Sequence, residues 1–301
     1  MTFAQKLDQA ARATEIRLAV LIEQLASPAQ SSPRLAAAIR HALLGGGKRF
    51  RPFLVLESAA LFGLPQNAAL DAACALECIH CYSLAHDDLP AMDNDILRRG
   101  QPTVWRAYDE WSAILAGDAL LTLAFEILAR EPAHPEPAVR ATLILELARA
   151  SGATGMVGGQ SLDLEAEKLP GSSEPTLESI RRLQSMKTGA LIRFACAAGA
   201  ILAGASSGDR RRLELFGDTL GFAFQIADDL LDVEGTAEEV GKAVAKDAHA
   251  GKATLVSLMG LKASREKLAE LEREARQLMA HYGERGASLA EAASFVVNRR
   301  S

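Results

Sequence analysis

"MKTGALIRFACAAGAILAG", residues 186–204, carries only two charged side chains, Lys187 and Arg193. Ala, Leu and Ile fall on every side of a helical wheel, and no strand-like alternation of β-branched residues breaks the pattern. A helix that is apolar nearly all round belongs in the centre of a core. Residues 213–231 read the same way. These two stretches predict an all-α protein with buried central helices.

The rest of the chain agrees, with apolar residues recurring at three- and four-residue spacing among Ala, Leu, Glu and Arg. Breaks fall at 26–33, 45–47, 63–67, 131–137, 169–175 and 204–209, each rich in Gly, Pro or Ser and short enough to join two helices. No repeat of fixed period is present. The expectation is one domain over residues 1–301, built from about ten or more helices.

The chain has 301 residues, 49% hydrophobic and 24% charged, with a formal net charge of -5. It therefore lacks the overall basic field of a nonspecific nucleic-acid binder, and an anionic ligand has to be met by local positive charge. The first 26 residues read as an amphipathic helix rather than a secretory signal. No apolar run reaches the roughly 18 residues of a membrane span, because Asp118 interrupts the best candidate. The terminal "NRRS" is not a prenylation box. Four cysteines in a chain of this length do not suggest a disulfide scaffold, so the expected compartment is the cytoplasm.

Two acidic clusters border the apolar runs. In "FQIADDLLD" (224–232), Asp228 and Asp232 are four apart and share a helix face, with Asp229 about 100° round from Asp228. In "HDDLPAMDND" (86–95), Pro90 biases Leu89 away from helical geometry, so Asp87 and Asp88 should end a helix and Asp93 should lie past a bend. Carboxylates crowded beside apolar residues repel one another unless cations compensate. Hard divalent cations, Mg²⁺ above all, do so and bridge to phosphate oxygens. The competing reading is two solvated acidic patches.

Phosphates also need direct cationic contacts. Candidates are Lys48, Arg49 and Arg51 in "GGGKRFRP", Arg98 and Arg99, Lys187 with Thr188, and Lys242, Lys246 and Lys252. "GGGKR" is not a P-loop, which needs Ser or Thr directly after the lysine.

In this order, "GGGKRFRP", "HDDLPAMDND" with "RRG", "GMVGGQSLDL", "MKTG", "FQIADDLLD" and "GKAVAKDAHAGKATL" resemble the motifs of the trans-prenyltransferases (polyprenyl diphosphate synthases), most nearly the bacterial farnesyl diphosphate synthases. The resemblance covers almost the whole chain. It implies a single isoprenoid-synthase-type helical bundle around a central cavity, a homodimer, and acidic motifs facing each other across the cavity mouth.

It further implies that Asp87, Asp88, Asp93 and Asp228 bind Mg²⁺, with Asp229 and Asp232 completing the second motif and three ions present when the allylic diphosphate is bound. Arg98, Lys187 and Lys242 would hold that diphosphate. Gly47, Lys48, Arg51, His80 and Arg99 would receive isopentenyl diphosphate, and Lys252 is a further substrate-binding candidate. Thr188 and Gln225 match polar groups near the developing cation, while Gln160 and Asp163 match a supporting motif that lines the cavity. The chain departs from many relatives at Ile96, where they carry another aspartate. It also has two extra residues between Asp88 and Asp93, an insertion typical of the bacterial enzymes.

Ionising an allylic diphosphate gives a carbocation and a highly charged leaving group, so fixed positive charge in a water-poor cavity is the central requirement, and no side-chain nucleophile is needed. Tyr82 lies five residues before Asp87, about 7.5 Å along a helix. With Ser83 it is the candidate chain-length determinant, since an aromatic residue here accompanies fifteen-carbon products in the family. Geranylgeranyl diphosphate synthesis is the alternative, ahead of a terpene cyclase or a noncatalytic subunit. Cys74, Cys78 and Cys81 have the spacing of an iron–sulfur ligand set, but they lie in an apolar helical run where small buried thiols are the simpler reading.

Overall fold

The computed structural model describes residues 1–25, 32–169, 175–234 and 254–298. Lys242, Lys246 and Lys252 lie outside the described residues. The chain divides into two compact units, Met1–Ile144 with Ile201–Gly204, and Leu145–Ala200 with Ala205–Ser301.

The first unit contains α1 (Phe3–Leu25), α2 (Pro33–Leu43), α3 (Phe50–Ala60), α4 (Gln66–Asp87), a two-residue β-hairpin of β1 (Leu97–Arg98) and β2 (Gln101–Pro102), the short α5 (Val104–Ala107), and α6 (Glu110–Ala129). A 3₁₀ turn at Glu131–Ala133 leads to α7 (Pro137–Ser151), within which the division between the units falls. Local signals set the helix starts. Pro33 occupies the first turn of α2, where its missing N–H is no loss. The Asp109 carboxylate caps α6 by accepting from the Ser112 N–H at 2.8 Å.

Helix α4 is the axis of this unit, packed against α3 and α6. Ala69, Ala73, Cys74, Ala75, Leu76, Cys78 and Ile79 on it have no exposed surface. The small residues let neighbouring helices approach from every side. Its two buried acids are both paired. Asp71 accepts from Arg17 at 2.6 and 3.0 Å, and Glu77 accepts from Arg49 at 2.5 Å.

The second unit holds α8 (Met156–Lys168), α9 (Leu177–Gln184), a π-helical turn at Ser185–Gly189, α10 (Ala190–Leu202) except its last two residues, α11 (Ser207–Glu234), α12 (Leu255–Met259), α13 (Leu261–Ala280) and α14 (Ala287–Asn298). Its core forms where α11 meets α13 and α14. Reciprocal capping boxes, Thr176 with Ser179 and Thr254 with Ser257, start α9 and α12.

The all-helical reading holds, and the breaks that lie wholly within the described residues, at 45–47, 63–67, 131–137 and 204–209, fall at helix junctions as expected. Two local features were not foreseen. One is the hairpin, whose only ladder pairs are Leu97 with Pro102 and Arg98 with Gln101. The other is the π turn, which opens the stretch read from sequence as one continuous helix.

The absence of a span-length apolar run needs correcting. By length and composition alone α4, α6 and the helical run Leu177–Leu202 could each cross a membrane, with mean hydropathies of 1.2, 1.7 and 1.2. An 18-residue average absorbs a single Asp118, so one charge does not disqualify α6. Burial accounts for most of this apolarity in α4 and Leu177–Leu202, whereas only half of the α6 window is buried.

Candidate active site

In the first unit, α4 ends at Asp87, and Asp88 follows as its C-cap. Pro90 prevents continuation. The chain instead folds back, with the Leu89 carbonyl accepting from Met92 and Asn94, and the Asp93 N–H donating to the Asp87 carbonyl at 2.8 Å. The loop with two extra residues thus returns Asp93 to the end of the helix. Asp87 is half-buried, Asp88 buried and Asp93 exposed.

Asp88 Oδ1 accepts from Arg98 Nε at 2.7 Å and lies 2.5 Å from Arg98 Nη2, which also reaches Asp95 at 3.3 Å. Burial raises the Asp88 pKa above the usual carboxylate range, the Arg98 guanidinium opposes this, and Asp95 and Asp93 add to it. A carboxylate at a helix C-terminus also faces the negative end of the helix dipole. Negative charge is costly here, which favours a cation. Asp95 is anchored by its carbonyl, which accepts from the Thr103 hydroxyl and the Trp105 indole, both at 2.8 Å.

The hairpin that carries Arg98 turns through Arg99 and Gly100, both at positive φ (53° and 75°), the conformation of a type I′ turn. The Arg99 guanidinium lies over Gly47 and donates to the Gly46 carbonyl. Gly47 has a φ of 120°, and a Cβ there would come within 2.6 Å of Arg99 Cζ. Only glycine accommodates both the backbone and the arginine.

Nearby, Arg51 on the first turn of α3 donates from Nη1 to His80 Nε2 at 3.4 Å. A guanidinium cannot accept, so the imidazole is neutral with its proton on Nδ1. Burial, and then Arg51, Arg99, Arg49 and Arg98, push the His80 pKa well below its ordinary value. Arg51, His80 and Arg99 therefore lie in one strongly positive neighbourhood, with Lys48 exposed at the loop before α3.

Tyr82 is 6% exposed, with its ring edge-on to His86 at 5.8 Å. Burial, and secondarily Asp87, raise its phenol pKa to about 12. The Ser83 hydroxyl donates to the His80 carbonyl at 3.0 Å. His86, immediately before the acidic cluster, donates from Nε2 to the Ile114 carbonyl on α6 at 3.0 Å.

In the second unit, Lys187 and Thr188 lie on the π turn, a local irregularity common at functional sites. Lys187 Nζ contacts Asp163 Oδ2 on α8 at 2.6 Å. A Cβ on Gly159 would collide with the Lys187 backbone, so glycine permits this close approach. Gln160 is 9% exposed, and among the described residues neither its Oε1 nor its Nε2 has a hydrogen-bond partner. An orphaned buried amide is costly and is a reason to expect a ligand.

On α11, Asp228 is exposed, Asp229 buried and Asp232 half-buried. Asp229 Oδ1 accepts from Gln225 Nε2 at 3.1 Å, and its Oδ2 accepts from the Leu255 N–H that opens α12 at 2.8 Å. One member of the acidic motif thus ties two helices together.

Among the described residues, no three His, Cys, Asp or Glu side chains form a ready-made metal cage. Mg²⁺ needs none, because it commonly uses one or two carboxylates with phosphate oxygens and water. The hard carboxylate donors of both clusters fit that ion. Cys74, Cys78 and Cys81 are buried along α4 with thiol pKa values raised chiefly by burial, the setting of inert core thiols rather than ligands.

Glu77 was not assigned a place in the site from sequence, and Arg49 entered only as one of the candidate phosphate contacts, a role its burial against Glu77 rules out. The available signal was Glu77 itself, one of two buried acids in the largely apolar interior of α4.

The family model for polyprenyl synthetase matches residues 32–294. The farnesyl diphosphate synthase of Geobacillus stearothermophilus is 41% identical over 300 residues, covering 99% of this chain and 98% of the relative. A geranylgeranyl diphosphate synthase of Cyanophora paradoxa is 43% identical over 263 residues, covering 87% of each. Among solved structures, an FPP/GFPP synthase from Zymomonas mobilis in its apo form aligns with a TM-score of 0.88 at 45% identity, covering 98% of this chain and 99% of that one. With its acidic and cationic motifs in family order on an all-helical scaffold, the chain belongs to the polyprenyl synthetase family.

Proposed function

We propose that this prenyltransferase condenses isopentenyl diphosphate with dimethylallyl and then geranyl diphosphate, releasing pyrophosphate and giving farnesyl diphosphate. The observation that carries the proposal is the positive neighbourhood of Arg51, His80 and Arg99 in the same unit as the Asp87, Asp88 and Asp93 carboxylates. A diphosphate suits the first, and a diphosphate's divalent counter-ions suit the second.

Asp87, Asp88, Asp93 and Asp228 would hold Mg²⁺, with Asp229 and Asp232 supporting the second cluster. Bound there, Mg²⁺ would neutralise charge developing on the departing diphosphate. Arg98, Lys187 and Lys242 would each offer a diphosphate a cationic contact, the role their motifs imply. Asp163 holds the Lys187 side chain in place until substrate arrives. The Thr188 and Gln225 dipoles face the allylic cation. Lys48, Arg51, His80 and Arg99 hold isopentenyl diphosphate so that its double bond meets the cation, and Lys252 contributes a further phosphate contact. Water exclusion by apolar helices prevents capture of the cation as an alcohol. The released pyrophosphate takes the final proton.

The proposal includes a homodimer in the cytoplasm. Exposed Trp111, Ile114 and Leu115 on α6 (55%, 43% and 45%) supply an apolar face for a second copy.

Incubation with Mg²⁺, labelled isopentenyl diphosphate and each allylic starter tests the proposal. Fifteen-carbon product should dominate. Dominant twenty-carbon product would favour the geranylgeranyl reading, which the likeness to the Cyanophora enzyme keeps in play. No elongation with any starter would overturn both.

A further inference from the structure

We infer that the buried Arg49–Glu77 pair is a positioning device that sets the geometry of the isopentenyl diphosphate site, an inference that rests on the assignment of Lys48, Arg51, His80 and Arg99 to that substrate. Arg49 and its neighbour Lys48 occupy opposite environments. Lys48 is exposed, whereas Arg49 is 3% exposed. The Arg49 guanidinium donates to Glu77 Oε1 at 2.5 Å, to the Leu43 carbonyl at 2.7 Å and to Glu15 at 3.3 Å. It therefore cannot serve as a phosphate ligand.

What it fixes is the backbone. Arg49 is the N-cap of α3, and its carbonyl accepts from the Phe53 N–H at 3.0 Å. It adopts a left-handed conformation, with φ of 48° and ψ of 40°. A bulky residue holds that conformation only when its surroundings impose it. The buried fork of contacts imposes it here, and so directs how the glycine loop carrying Gly47 and Lys48 enters the helix carrying Arg51.

Two rungs then join this segment to α4. Arg49 meets Glu77, and Arg51 meets His80 at 3.4 Å. Glu77 and His80 are three residues apart and lie on neighbouring turns of one helix face. The lower rung is fully enclosed, with both side chains at 2% exposure or less, and the upper rung meets the ligand. Burial works against the Arg49 charge, yet Glu77 and its neighbours hold the guanidinium more firmly protonated than usual. Among the described residues its Nε has no acceptor. Such a pair contributes little net stability relative to apolar replacements. Its effect is expected in geometry, on the binding of one substrate.

The test is steady-state kinetics on Arg49→Lys, on the double variant Arg49→Met/Glu77→Leu, and on Arg51→Ala as reference. Arg49→Lys keeps the charge but loses the fork. The double variant leaves no lone buried charge and so retains the fold even where the single variant does not. Both should raise KM for isopentenyl diphosphate about 10-fold or more, while kcat and KM for geranyl diphosphate stay within about 2-fold. Wild-type KM in both, with only Tm changed, would overturn the inference, as would an equal loss for both substrates. If Arg51→Ala raises that KM and the Arg49 variants do not, the inference fails alone. If Arg51→Ala also leaves KM unchanged, the site assignment fails and takes the inference with it.

Discussion

Asp88 and Asp229 are the buried members of the two acidic clusters, 3% and 4% exposed, and opposite kinds of partner hold them. Asp88 is clamped by a guanidinium, so much of its charge is compensated within the first unit. The described contacts of Asp229 include an amide and the first N–H of α12, dipolar donors that orient the carboxylate and join α11 to α12. The exposed neighbours Asp93 and Asp228 remain accessible to solvent in both clusters. The comparison suggests a division of labour, in which Asp229 anchors the second cluster for Asp228, whereas Asp88 both anchors the first cluster and shares its ions with Asp87 and Asp93.

The strongest way to break that division is to remove one carboxylate at a time. Asp88→Ala and Asp228→Ala should each lower kcat by about 10³-fold, of the order seen when a charge-stabilising group is lost. Asp228→Ala should melt with the wild type by circular dichroism. Asp229→Ala should lose turnover and also stability, by about 1–3 kcal/mol, because it leaves the Leu255 N–H without its acceptor. An Asp229→Ala protein with unchanged Tm would remove the anchoring role. Near-normal turnover of Asp228→Ala would remove the ion-binding one.

The difference in partners gives a second contrast. Arg98→Ala strands a buried carboxylate and should cost about 2 kcal/mol in urea unfolding. Gln225→Ala takes away one neutral donor and leaves the Leu255 N–H, and should cost about 1 kcal/mol or less. Equal costs would mean that charge compensation at Asp88 is not what distinguishes the clusters.

The sequence showed the helical class and the aspartates because both are local. Apolar periodicity identifies helices, and Pro90 after two acids marks where α4 must stop. It did not show the π turn under Lys187, since "SMKTG" is compatible with an ordinary helix and the bulge arises where Gly159 brings α8 against it. Nor did it separate Arg49 from Lys48 and Arg51. In "GKRFR" all three are basic, and their fates diverge only because Glu77, distant in sequence, captures the middle one. Gln225 and Asp229 were legible as polar residues four apart, but the bond from Asp229 to the start of α12 depends on tertiary structure. The readings that failed to resolve are long-range ones.

A smaller effect, on product rather than rate, separates the units differently. Tyr82 is packed in α4 beside His86, one turn before the first acidic cluster. Tyr82→Ala should shift the main product toward twenty carbons or longer by chromatography, while overall turnover changes less than about 10-fold. Thr188→Ala in the second unit should slow turnover without lengthening the product. An unchanged profile in Tyr82→Ala would remove its chain-length role.

The smallest effect is a pH dependence from His80. Burial and four arginines hold its imidazole neutral in the folded protein, with a pKa well below 6.5. The unfolded chain takes up that proton near the ordinary value, so below it the unfolded state binds more protons and stability is lost as pH falls. Above that value the contribution is fully present. Between about pH 7.5 and about pH 5.5 the wild type should lose about 1 kcal/mol of unfolding free energy to this group alone. His80→Gln keeps a hydrogen-bonding side chain for Arg51 but cannot titrate, so its stability should fall correspondingly less over that interval in urea titrations. Parallel curves for the two proteins would show that the positive neighbourhood does not act on the imidazole as the geometry requires.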